Sequence, residues 1–544
     1  MRKTIYTLAA LVLSAALSAQ NINQTVQVTN DYAARFADFQ KQGGEMKVPD
    51  SLYKFDYRFD YSVFETPYKG SYEFSPYRIQ VTPQARTYDG SKLFLRAGAG
   101  YSFRPQLQFA YQLLQEKDFT IGVYADAGGY LGNYWAQGGA NPFRGRDLSG
   151  RVGLNGQRLM PKVRLSYEMA YDGIFAGDND NLDYRTTFHS AYVMGRVQSQ
   201  DRPGNQLFYD FDLRFRYSGE SYTPVMELDN TGETNLRVAV SVGPSLQQKY
   251  KILIDGVFEM ASIRKVDAMF GGGPATTNLS TIYPHLDFLL GPVHLDAGVR
   301  LDFSAVGEER NVTFTVAPDV KARLTLAESG LELFAGVSGG QHLEDHYTLK
   351  QMNHFAPRAR FAASITREKL RVRAGLEGHW RSRLQYSLEA GWMSLSGAPL
   401  PYYNSLGFAD YSSFYALATG AWKSERLEVD GRLRYNGFKM DSFKSSFFTP
   451  PTFMADIRGS YNWDRRIYAG AFVEAASART RKSFTADFYQ IPGYVNLGLT
   501  GEYRLNEKLG FWLEAGNLLG MAIQRTPGYV EKGPYFTLGL QLKL

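Results

Sequence analysis

The 544-residue sequence contains no cysteine, which rules out disulfides, thiolate metal sites and cysteine nucleophiles. It has no long apolar run beyond its first twenty residues, so nothing later approaches the roughly 20 apolar residues of a membrane-spanning helix. It also lacks Lys/Arg-rich runs. A formal net charge of +6 on 61.2 kDa is mild, and no nucleic-acid partner is expected. The seven histidines and the serines are scattered. No spacing brings a nucleophile, a base and an orienting group together, so the chain reads as a non-enzyme with no cofactor. What it does have is glycine (53 residues, about 10% against a usual ~7%), 37 tyrosines and 36 phenylalanines. Mean hydropathy is only −0.32, yet 44% of the residues are hydrophobic. Such a chain interleaves apolar and polar residues.

The single apolar run is at the start. Arg2 and Lys3 precede an uncharged stretch from Ile5 to Ala19, which is too short to span a bilayer but fits a signal-peptide core. Small residues around Ala19-Gln20 suit cleavage. We read 1–19 as a signal peptide, 20–91 as a periplasmic or lumenal extension and 92–544 as one β-barrel. An exported chain without cysteine points to a bacterial envelope.

From Lys92 onward the dominant signal is period two. Leu207, Tyr209, Phe211, Leu213, Phe215 and Tyr217 alternate with Phe208, Asp210, Asp212, Arg214 and Arg216. Val293 to Phe303, Leu370 to Leu376 and Phe536 to Leu544 repeat the pattern. Successive strand side chains point to opposite faces, so each strand has one apolar and one polar face. Many of these segments exceed ten residues, longer than the ~5–6 of soluble strands and enough for the ~9–11 of a transmembrane strand. Aromatics end the apolar stripes at Tyr101/Phe103, Tyr217, Phe303, Tyr435, Tyr461/Trp463 and Tyr503, as in interfacial girdles.

The connections sort by parity. Short links such as 115–118, 160–161, 291–292, 381–383, 464–466 and 504–508 alternate with long ones such as 132–147, 261–279, 340–369, 394–411 and 518–534. Outer-membrane barrels have short periplasmic turns and long extracellular loops. Arg104-Pro105 breaks the rule, being short where a long loop is due. The expected fold is all-β: a transmembrane antiparallel outer-membrane β-barrel of about 22 strands, range 18–22. Its neighbour is outer-membrane lipid. Charges on the polar faces (Asp210, Asp212, Arg214, Arg216, Arg371, Arg373, Glu377, Arg432, Arg434 and Lys543) would face a wet lumen.

The C-terminal region resembles TonB-dependent outer-membrane receptors. Ile491-Pro492-Gly493-Tyr494-Val495-Asn496-Leu497-Gly498-Leu499 resembles their antepenultimate strand, and Leu513-Glu514-Ala515-Gly516-Asn517-Leu518-Leu519 resembles their N-L strand end. Pro534 to Leu544 resembles the closing strand, and Ala297-Gly298-Val299-Arg300-Leu301-Asp302 resembles a G-x-R-x-D strand. The resemblance spans most of 290–544. It implies solute uptake across the outer membrane. Within the last strand, Thr537, Gly539, Leu542 and Leu544 resemble the terminal signal read by the barrel-assembly machinery, with leucines where an aromatic is usual. Gln24-Thr25-Val26-Gln27-Val28-Thr29 resembles the box that contacts TonB, with Thr25, Val26 and Val28 as its core; it also reads as an ordinary edge strand or an unstructured segment.

The departure is missing text. Only about seventy residues, 20–91, lie between leader and barrel, and none resembles the family's globular plug. The expected chain is therefore a receptor-like barrel without a plug. The alternative is a non-transporting scaffold or anchor with a periplasmic or lumenal partner. A wide lumen needs filling, so the aromatic 45–85 segment, an inward loop or a partner is expected to obstruct it. One dense ligand cluster remains, His342-Leu343-Glu344-Asp345-His346. It makes His342 and His346 metal candidates, and it reads equally as a solvated extracellular loop.

Overall fold

The computed structural model describes residues 92–544 except 137–140, 179–183, 201–206, 224–230, 247–249, 267–272, 308–310, 327–329, 357–362, 381–382, 403–404, 441–448 and 483–487. The leader, the 20–91 extension, the 45–85 aromatic segment and Thr25, Val26 and Val28 lie outside the described residues.

In chain order the strands are β1 (Leu93–Tyr101), β2 (Gln106–Gln115), β3 (Phe119–Trp135), β4 (Pro142–Leu159), β5 (Val163–Asp178), β6 (Tyr184–Ser199), β7 (Leu207–Thr223), β8 (Thr231–Leu246) and β9 (Tyr250–Val266). They continue as β10 (Gly273–Leu290), β11 (Val293–Val306), β12 (Asn311–Leu326), β13 (Leu331–Glu344), β14 (Ser364–Trp380), β15 (Leu384–Tyr402), β16 (Ser405–Lys423), β17 (Leu427–Met440), β18 (Phe453–Trp463) and β19 (Ile467–Ala476). The last are β20 (Arg479–Lys482), β21 (Phe488–Ile491), β22 (Tyr494–Arg504), β23 (Leu509–Gly516), β24 (Ile523–Thr526), β25 (Tyr529–Glu531) and β26 (Tyr535–Lys543). The helix α1 (His346–Met352) interrupts the β13–β14 connection.

Each ring strand pairs antiparallel with the next. β19 pairs with β22, β23 with β26, and β26 returns to β1 with Phe94 opposite Lys543 and Tyr101 opposite Phe536. Setting aside the β20–β21 and β24–β25 hairpins, the ring closes at 22 strands, as expected. Leu93 and Leu544 exchange backbone bonds of 2.8 and 2.9 Å at the seam. Closure matters because an open edge in hydrocarbon would leave N–H and C=O groups unpaired.

The outer surface carries the apolar halves of the alternation. Phe211, Leu213, Phe215 and Tyr217 are exposed on β7, while Asp212, Ser218 and Glu220 of the same strand are buried on the inner side. Tyr101, Tyr217, Phe303 and Tyr435 stand outward toward the long-loop end; Trp380, Trp463 and Tyr503 stand outward beside the short turns. Two aromatic rings bounding an apolar belt on a closed, even-stranded antiparallel barrel place the chain in the bacterial outer membrane.

Two expectations need correction. Several segments read as long loops are strand. The link read at 394–411 shrinks to 403–404, because β15 runs to Tyr402 and β16 starts at Ser405. Above the lipid belt the inner face stops being polar. Met393, Leu395, Ala398, Leu400, Ala409 and Tyr411 pack together there, so the in–out alternation disappears while the ladder continues. The anomalous short link also gains a reason. The β1–β2 hairpin is truncated, and the wall above it is completed by the β24–β25 hairpin, which pairs Val530 with Trp135 of β3.

Candidate functional site

The β13–β14 connection turns inward. Asp345 starts α1 by accepting a bond from the Thr348 backbone N–H at 2.8 Å, which satisfies one of the helix's otherwise orphaned donors. Seven residues give two working faces. His346 and Lys350 are four apart and share one; Leu349 and Met352 are three apart and share another. The apolar face packs with Ala356 against Leu406 of β16, with Phe408 beside it. The polar face reaches β6, β7 and β8.

Glu220 of β7 is the centre of that contact. Lys350 Nζ donates to its Oε1, His346 Nε2 lies 3.1 Å from its Oε2, and the Thr186 hydroxyl of β6 donates to the same carboxylate. Lys350 Nζ also donates to Thr186 Oγ1 and to the Ala356 carbonyl, each at 3.0 Å. The His346 backbone N–H donates to Glu233 Oε1 of β8 at 2.7 Å, and the ring packs edge-on against Phe188 at 4.9 Å. Lys350 and Glu220 are fully buried. Burial pulls the Lys350 ammonium below its ordinary pKa, against the opposing pull of Glu220.

The loop then continues to the far wall. His354 Nδ1 bonds to Asp147 of β4, and Phe355 stacks on Tyr529 of the β24–β25 hairpin with centroids 3.8 Å apart. Tyr130, Tyr134, Phe143 and Phe188 complete that aromatic cluster. Beside α1, the Arg216 guanidinium lies 3.5 Å from the Tyr347 ring centroid, and Asp172 sits 3.9 Å from Arg216 and 3.8 Å from Arg151. The hairpin is itself anchored: Arg525 pairs with Glu474 at 2.8 Å and Glu531 at 3.2 Å, and Arg104 pairs with Glu531. β13 and β3 are ten strands apart in a ring of 22, so the connection crosses the lumen almost diametrically.

His342 and His346 are therefore not in a solvated loop; both are buried inside the barrel. Pairing with acids makes that burial tolerable for His346. His342 lies near the upper end of β13, and His346 opens α1 against Glu220. Among the described residues no group of three or more His, Asp or Glu side chains is placed to hold a metal ion. Thr537 is buried on the inner face. Gly539 shares that face against Trp512, whereas Leu542 and Leu544 belong to the outer-facing set at the seam. Of the expected lumenal charges, Asp212 and Arg214 pair at 2.6 Å, Asp210 pairs with Arg196 at 2.9 Å, and Arg371 pairs with Glu368 at 2.7 Å. Sequence reading missed Glu220, Thr186, Glu233 and Lys350. The four-residue spacing of His346 and Lys350 was the one local signal.

No protein-family model and no curated protein sequence matches the chain. Solved structures do. The copper transporter OprC superposes with a TM-score of 0.63 at 14% identity, over 84% of this chain and 81% of that one. An FrpB iron transporter of Neisseria meningitidis gives 0.64 at 9%, over 83% and 82%. The ferric-catecholate import receptor Fiu of E. coli gives 0.60 at 10%, over 84% and 82%. At these identities the likeness is one of fold. It is the barrel that the resemblance to TonB-dependent receptors implied.

Proposed function

We propose that the chain takes up a solute across the outer membrane, and that the inward β13–β14 connection gates its lumen. The observation that carries this reading is the clasp itself. A buried lysine and histidine on one carboxylate, placed where the loop meets the β6–β8 wall, hold an element that crosses the channel. A permanent pore has no use for such a fastening. The structurally similar proteins whose names describe metal and siderophore import support the same direction. In this reading the lumen is closed from within by the barrel's own loop rather than by a separate plug. Thr25, Val26 and Val28 contact TonB to energise opening, Thr537, Gly539, Leu542 and Leu544 are read during barrel assembly, and His346 serves closure rather than metal binding.

The test is a deletion strain grown on candidate solutes supplied one at a time, complemented with the full chain or with a Val26→Pro variant. Uptake predicts loss of growth on a particular solute, restored by the full chain and not by the variant. Unchanged growth on every solute, together with co-purification of a stoichiometric periplasmic partner, would replace uptake with the scaffold reading.

A further inference from the structure

We propose that the unpaired upper edge of β12 binds an extended oligopeptide, adding it to the sheet as one more strand. The edge exists because β13 leaves it. β12 pairs with β13 only from Val320 to Leu326, whereas it stays in register with β11 from Leu324 up to Asn311. β13 turns inward at a bulge between Ser338 and Gly340, where Gly340 has φ +132° and a Cβ would stand 2.6 Å from Arg300 Nε. On the β13 side the freed backbone of Gln341 finds partners: its N–H donates to Asp302 Oδ2 at 2.7 Å, and Arg300 donates to its carbonyl. Parity shows which groups of β12 are left. The Thr325 N–H donates to the Pro292 carbonyl at 2.8 Å and the register runs unbroken, so odd-numbered residues of β12 bond to β11 and even-numbered ones point the other way. The backbone N–H and C=O groups of Val312, Phe314 and Val316 therefore face the vacated side, and among the described residues nothing bonds to them.

The height makes the edge accessible. Pro318, which has no N–H to leave unpaired, holds its lowest position. Counted up from Leu326 beside the short turn, Pro318 is where the ~9–11 residues of a transmembrane strand begin to run out. Phe314 packs on Phe303 of the outer aromatic ring with centroids 4.8 Å apart, so the edge stands at the interface and above it, and Val312 there is 69% exposed. The complement it asks for is one of partial charge. Donors and acceptors follow one another at the strand repeat, and a peptide backbone carries the matching row. No charged residue occurs from Asn311 to Pro318, although exposed edges are commonly blunted by charge. A strand ~4.8 Å away would set alternate side chains beside Val312, Phe314 and Val316, which favours apolar residues there, and the others beside Thr313 and Thr315. Gln341 Nε2 donates to Thr315 Oγ1 at 3.1 Å, so the edge adjoins the root of the inward connection at the lumen mouth, which selects a free oligopeptide.

The experiment uses the purified full chain in detergent, with bound peptide and oligomeric state read together by native mass spectrometry. The probes are a short capped peptide of alternating Thr and Val and the same peptide N-methylated at every amide. The wild type should hold the first and not the second. Val316→Pro removes a donor from the free edge and none from the β11 ladder, and should weaken binding about tenfold. Val316→Thr keeps the donor and should bind as wild type. Heat-dependent gel mobility establishes that each variant is folded; if Val316→Pro does not fold, the N-methylated peptide decides alone. Failure to hold the amide peptide, equal retention of the N-methylated one, or unweakened binding by folded Val316→Pro overturns the site. A dimer that Val316→Pro dissociates gives the edge to a second copy and overturns the oligopeptide. Binding measured in this way does not rest on uptake, so the growth test can fail without deciding it.

Discussion

The seam between β26 and β1 and the clasp around α1 both close something, but with opposite materials. The seam is backbone and shape. Eight register pairs join the two strands, and Trp512 of β23 covers Gly98 and Gly539 from the inside. Its indole donates to the Leu540 carbonyl at 3.3 Å, and the Arg96 guanidinium lies 4.2 Å from its ring centroid. The clasp is charge and hydrogen bond on a seven-residue helix. A seam of ladder bonds has no second arrangement, whereas a clasp of buried ions can be undone by exchanging protein partners for water or ligand. In the proposed gating, that difference separates the part that stays closed from the part that opens.

The largest effect is expected at the seam. A Cβ on Gly539 would stand 2.3 Å from Trp512 Cε2 and 2.3 Å from the Ala97 carbonyl oxygen. Gly539→Val should abolish the folded barrel, which heat-dependent gel mobility would register as loss of the compact species. Thr537→Val, a near-isosteric change one inward position away, should leave the barrel folded. If both variants assemble equally, the packing account of the seam fails. If both fail equally, the strand's role in assembly outweighs its packing.

The wall was legible because its rule is local. Each apolar residue of 207–217 announces the face of its neighbour, and the interfacial aromatics mark where the rule stops. The same rule, repeated along the chain, placed about 22 strands within a range of 18–22, and the parity of the links oriented them. The clasp was illegible because its partners are far apart in the chain. Lys350 and Glu220 are 130 positions apart, and His354 and Asp147 are 207 apart. Nothing near His342–His346 says that the segment turns inward, since a histidine and acid run reads the same in water as it does against a distant wall. The apolar tips of β15 and β16 misled for the reverse reason: Leu406 of β16 packs on the inward loop, and Met393 to Leu400 of β15 pack with Ala409 and Tyr411 beside it, so the lumen side ceases to be polar.

A smaller effect, confined to the clasp, is expected from Glu220→Gln. Removing one partner of a buried ion pair typically costs about 3–5 kcal/mol, because the other charge is left uncompensated. Lys350 would be that charge. The loop should release while the barrel keeps its thermal transition, and single-barrel conductance in a planar bilayer should rise well above wild type. Adding Lys350→Met to Glu220→Gln removes the stranded charge and should restore much of the closure. Raised conductance in the single variant that the double variant does not lower would mean that the pair is not the fastening.

The smallest effect is a dependence on pH, and its sign discriminates. Burial holds Lys350 below its ordinary pKa in the closed loop, while a released loop returns it toward about 10.4. Between the two values the released state binds more protons than the closed one. Raising the pH through that window therefore favours closure, and lowering it favours release. Residual conductance of the wild type should fall as pH rises toward the ordinary lysine value of about 10.4. A Lys350→Met variant should lose that slope, since it removes the proton that responds. A conductance that instead climbs with pH would mean that closure raises the Lys350 pKa, so that the Glu220 attraction outweighs the cost of burying the ammonium.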